Sequence, residues 1–131
     1  MNKLTISWIL NRDGERKGGL QKEPTWALVD HFLHQAKEKG GTISLSIIDG
    51  EDEGPDHIQL TAENGHYLLG LNEVDGDDYE VRTFYDPNAK GQVEMEGNVW
   101  DARKICTDFA IVQRAFKEFF EDGDVSRELL D

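Results

Sequence analysis

Residues 3–10 alternate, with Leu4, Ile6, Trp8 and Leu10 on one side and Thr5 and Ser7 on the other. That is the two-residue period of a half-buried strand. Asn11 to Glu23 is rich in glycine and charge and reads as a loop, since Gly14, Gly18 and Gly19 lack dinucleotide-binding spacing and no helix follows at once. Pro24 and Thr25 offer helix-start chemistry. Leu28, Val29, Phe32, Leu33 and Ala36 then form a stripe at helical spacing, which Gly40 and Gly41 stop. Residues 42–48 alternate again, with Ile43, Leu45 and Ile47 facing one way and Ser44 and Ser46 the other.

Asn64-Gly65 lies between two alternating runs, the signature of a two-residue type I′ hairpin. Such a turn pairs Ile58 with Leu71, Leu60 with Leu69 and Ala62 with Tyr67 on an apolar face. His57 with Asn72, Gln59 with Gly70 and Glu63 with His66 fall on a mostly polar one. The contrast between the faces fixes the register. Residues 79–85 predict a further strand, Val93 to Glu96 a continuation of the meander, and 99–106 either strand or helix. Thr107 or Asp108 can cap a last helix carrying Phe109, Val112, Ala115, Phe116, Phe119 and Phe120, which Gly123 ends. The expected fold is α+β, in the order β-α-β-β-β-β-(β)-α. It has one mostly antiparallel sheet of five or six strands with two helices packed on it, in a single domain spanning residues 1–131.

Charge changes the picture most. Lys and Arg number 14 against 27 Asp and Glu, a formal net charge of −13. Phosphate backbones and anionic lipid surfaces repel such a body, so neither nucleic acid nor membrane is an expected partner. The basic cluster Arg12, Arg16, Lys17 and Lys22 is diluted by Asp13, Glu15 and Glu23. A basic protein is the better match, because a large field of one sign steers the opposite sign onto it. A single cysteine, Cys106, suits a reducing cytosol, and the amino-terminal run lacks the apolar core and cleavage site of a signal peptide, so the expected location is cytoplasmic.

The acidic residues concentrate in two connections. Asp49, Glu51, Asp52, Glu53 and Asp56 join the second and third strands, while Glu73, Asp75, Asp77 and Asp78 join the fourth and fifth. Alternate connections of an antiparallel meander lie at one end of the sheet, so these residues should crowd one edge and form the partner-binding surface. They are poor calcium ligands as a set: aligning Asp49 with the start of an EF-hand loop puts Leu60 where the bidentate Glu belongs. His31 and His34 are three apart on the first helix, but no third ligand is indicated, and His57 and His66 fall on the polar side of the hairpin. Nucleophile-elbow and phosphate-loop motifs are absent, and Cys106 reads as a structural thiol. Trp26, Trp100 and the phenylalanines of 109–120 read as core. No catalytic residue, metal or cofactor is expected, and the chain reads as a binding protein rather than an enzyme.

The element order resembles that of the immunity proteins of bacterial polymorphic-toxin and contact-dependent growth inhibition systems. The likeness is carried by Glu23-Pro-Thr-Trp-Ala-Leu-Val-Asp-His-Phe-Leu33 before Gly40-Gly41 and a strand, and by the ending Phe119-Phe-Glu-Asp-Gly-Asp-Val-Ser126. The resemblance implies a cytoplasmic protein that neutralises one cognate toxin domain, commonly a basic nuclease, by covering its active site or substrate groove. It supplies no residue roles. The alternatives are an acidic nucleic-acid mimic or regulatory module for another basic protein, and a small enzyme whose cleft would gather His57, His66 and carboxylates.

Overall fold

A computed structural model describes all residues except 1, 2, 13 and 49–53. Its strands are β1 (Lys3–Arg12), β2 (Glu15–Lys22), β3 (Gly41–Ile48), β4 (Gly54–Glu63), β5 (His66–Asp75), β6 (Asp78–Thr83), β7 (Gln92–Met95) and β8 (Asn98–Asp101). Its helices are α1 (Trp26–Lys39) and α2 (Phe109–Asp122). A six-stranded sheet runs in the order β2-β1-β3-β4-β5-β6 with every pairing antiparallel, and β7 and β8 form a separate two-stranded sheet. The α+β class and the antiparallel sheet under two helices agree with the sequence pattern.

The alternation puts one face of the sheet in the core. Leu4, Ile6 and Leu10 of β1, Ile43 and Leu45 of β3, Ile58 and Leu60 of β4, and Leu69 and Leu71 of β5 are buried there. The helices cover them with Val29, Phe32, Leu33 and Ala36 of α1 and Val112, Ala115, Phe116 and Phe119 of α2. Burying each valine, leucine or phenylalanine among them stabilises by about 1.5–3 kcal/mol, which is what holds both helices on this face. Thr25 caps α1 by accepting from the Leu28 N–H at 3.2 Å, and Asp108 caps α2 by accepting from Ala110 N–H at 3.0 Å. Gly41 passes so close to the Ile9 carbonyl, at φ 143°, that a side chain there would collide with the backbone. Asn64 and Gly65 both have positive φ, 50° and 77°, as a type I′ turn demands, and the hairpin register is as the sequence predicts from His57 to Glu63.

Two expectations need correction, and one open reading is decided. The stretch read as a loop contains β2, an edge strand paired to β1 through Trp8↔Gly19. Gly19 is there because the Trp8 indole lies over it, stacked on Phe32 with centroids 4.0 Å apart, where a Cβ would sit only 2.8 Å from Trp8 Cε2. Residues 92–95 leave the meander and pair with β8, so the sixth strand of the main sheet is β2 rather than β7. Residues 99–106, undecided by the pattern, divide into β8, a short 3-10 turn over 102–104 and a bridge from Cys106 to Tyr67.

Candidate protein-docking surface

Gly54, the first described residue of β4, pairs with Val74 at the far end of β5, so β4 starts at the end of the sheet that carries the β5–β6 turn. Asp49, Glu51, Asp52 and Glu53 lie outside the described residues. The remaining candidates separate by environment. Asp75 and Asp78 are paired across the β5–β6 turn, which Gly76 makes at φ 61°, and with Asp77 they stand exposed. Glu80, which sequence reasoning did not single out, stands exposed two residues further on, opposite Glu73. Among the described residues no Lys or Arg forms an ion pair with any of these four exposed carboxylates.

Asp56 is the extra residue of a bulge between Pro55 and His57, which sets its carboxylate 3.1 Å from His57 Nδ1. Glu73 does not belong to the free acidic set. Its carboxylate accepts from Arg82 Nη1 at 2.7 Å and lies 3.9 Å from Arg127 Nη2. Arg82 is only 4% exposed, a charged residue sealed in a core-facing position. It also donates to Asp124 Oδ1 (3.0 Å), to the Val125 carbonyl (2.6 Å) and, through Nε and Nη2, to the Leu130 carbonyl (3.1 and 3.0 Å). The charge of Glu73 therefore helps to fasten the carboxy-terminal segment.

The second face of the sheet carries neither of the described helices. Its pairing places Ser7, Ser44, Gln59 and Gly70 in one row and Ser46, His57, Asn72 and Val81 in the next. The β7–β8 hairpin reaches over one end of this face: the Glu96 N–H donates to Glu63 Oε2 at 2.6 Å, and the Arg103 carbonyl accepts from Asp86 N–H at 2.8 Å. At the hairpin's base Arg103 grips Asp101, and these bonds hold the Asp101 carboxyl down to about 2. Trp100 of β8, read from sequence as core, instead walls a cleft of about 330 Å³ against this face, together with His57, Gln59, Leu68, Val81 and Thr83. Its period could not have revealed this, because a four-residue strand has too few positions to define a face.

An acid–base centre of the kind the enzyme alternative requires is not gathered there. The cleft holds His57, but its described lining contains no carboxylate, while His66 borders a separate cavity with Asp86, Cys106 and Asp108. The Cys106 thiol is fully buried and its pKa is raised by that burial. His31 and His34 stand exposed on α1, where His34 Nδ1 is 2.8 Å from the Asp30 carbonyl and its ring meets Phe109 edge-on. Among the described residues no three His, Cys, Asp or Glu side chains are placed to hold a metal ion.

The edge at β6 completes the surface. Tyr79 (70% exposed) and Val81 (56% exposed) point away from the core, while Arg82 between them and Thr83 points in. No described helix is long and apolar enough to cross a membrane. A crystal structure of a hypothetical protein from Neisseria gonorrhoeae has the same fold, with a TM-score of 0.79 and 20% identity over 96% of this chain and 92% of that one. No curated protein matches the chain. The model of a family of unknown function, DUF6911, matches residues 4–129, and the protein belongs to that family.

Proposed function

We propose that this protein is an immunity protein: in the cytoplasm it binds one cognate bacterial toxin domain, basic and of nuclease type, and neutralises it by covering the active site or substrate groove. The observation that carries the reading is the set of exposed carboxylates without ion-pair partners among the described residues, Asp75, Asp77, Asp78 and Glu80, at one end of a chain with net charge −13. Like charges held together at a surface are unfavourable in the free protein, and a cationic surface relieves that cost on docking. The steering field raises the association rate, and the arrangement of the charges discriminates among partners.

The test is a nuclease assay with the toxin domain encoded beside this protein. At equimolar ratio the wild-type protein is expected to abolish cleavage. Changing Asp75, Asp77, Asp78 and Glu80 together to Lys should weaken inhibition at least about a hundredfold, the scale of two disrupted charge pairs at an interface. Undiminished inhibition by a folded charge-reversed protein would remove the surface, and failure of the wild type to inhibit would remove the function.

A further inference from the structure

We infer that the outer edge of β6 is a docking strip that takes an extended segment of a basic partner protein as a seventh strand of the sheet. The inference rests on the proposed reading of a cationic protein partner and specifies how that partner is held.

The geometry follows from the turn. Asp75 and Asp78 flank a two-residue connection and so form a hydrogen-bonded pair. Along an antiparallel ladder bonded and non-bonded pairs alternate, which makes Val74↔Tyr79, Asn72↔Val81 and Gly70↔Thr83 the non-bonded ones. The N–H and C=O of Tyr79 and of Val81 therefore point outward, away from β5. Among the described residues nothing bonds them, whereas the next outward carbonyl, that of Thr83, already accepts from the Asp131 N–H at 3.1 Å. The strip thus begins at the β5–β6 turn and ends where the carboxy-terminal residue lies against it. Soluble proteins usually blunt such an edge, yet this one also exposes the side chains of Tyr79 and Val81.

Side chains say what sort of segment fits. On the uncovered face an incoming residue would lie beside Tyr79 or Val81 and could enter the cleft walled by Trp100, which calls for apolar side chains. Alternate incoming residues would face Asp78 and Glu80, which calls for Lys or Arg. Strand addition draws affinity from main-chain bonds and specificity from such alternating contacts. A second copy of this chain is the poorer occupant. Pairing β6 with β6 sets Asp78 and Glu80 against their own kind, and two bodies of net charge −13 repel.

The test uses the full chain and a short blocked peptide of alternating lysine and valine. Binding should slow hydrogen exchange at the Tyr79 and Val81 amides and leave the β4–β5 amides unchanged. A matching glutamate–valine peptide should not bind. Val81→Pro removes one outward donor without breaking a bond to β5, and edge strands tolerate proline there, so affinity should fall about tenfold, the scale of one lost backbone bond. Should that variant misfold, the same peptide methylated on the amides that face β6 reports on the unaltered protein and should bind about tenfold more weakly. No binding, binding without protection at Tyr79 and Val81, or equal binding of the acidic peptide overturns the inference. Self-association of the protein alone that protects those amides overturns the choice of occupant. If Val81→Pro inhibits the toxin as well as wild type while charge reversal abolishes inhibition, strand addition fails and the immunity reading stands.

Discussion

Replacing Arg82 tests how the acidic end is built. The guanidinium is 4% exposed and supplies every side-chain bond that fastens β6 to the Val125 and Leu130 carbonyls and to Asp124. Arg82→Met keeps much of the volume and removes the donors. Two carbonyls, of residues 3% and 0% exposed, then lose their Arg82 bonds at about 1–3 kcal/mol each, and the Glu73 carboxylate keeps only the more distant Arg127 guanidinium, 3.9 Å away. Breaking a buried pair from one side costs about 3–5 kcal/mol in comparable settings, which agrees with that sum after the segment relaxes toward water. With a urea slope of about 2 kcal/mol per molar, the unfolding midpoint should fall by about 1.5–2.5 M. Proteolysis should meanwhile find new cleavage sites between Gly123 and Asp131 in the native state, because the clamp on that segment is gone. A midpoint within about 0.3 M of wild type, with the segment still protected, would refute the account, since that shift is no more than an ordinary surface substitution makes.

Two further outcomes follow from the packing and the ion pairs. Asp101, bonded by Arg103, should titrate at about 2 by NMR, and Arg103→Gln should return it toward 3.8. Because the folded value is the depressed one, the contribution of this pair is present above about pH 4 and is lost as the pH falls through 2. Gly19→Ala should destabilise by about 1–3 kcal/mol in thermal melts, because the added methyl meets the Trp8 ring packed on Phe32. In a Trp8→Leu background the same change should be nearly neutral, and an equal loss in both backgrounds would show that the collision is not the cause.

The residues themselves determined the elements whose periods are long and unambiguous. The stripe from Leu28 to Ala36 and the run from Phe109 to Phe120 bury where a helical period puts them, and Asn64-Gly65 fixed a register that runs from His57 to Glu63. The antiparallel meander likewise put the start of β4 beside the β5–β6 turn, since antiparallel strands reverse direction each time. Tertiary structure decided the rest. Glu15 to Lys22 has no apolar period, and it is a strand because β1 offers it a free edge and Gly19 leaves room for an indole. In β6 the apolar-looking side, Tyr79 and Val81, faces out and Arg82 faces in, because the two-residue turn at Gly76-Asp77 sets the pairing with β5 and the carboxy-terminal segment then satisfies the guanidinium. Local pattern records how polar a position is. Which side of a sheet a position occupies, and which carboxylates keep their charge free, depends on partners far away in the chain.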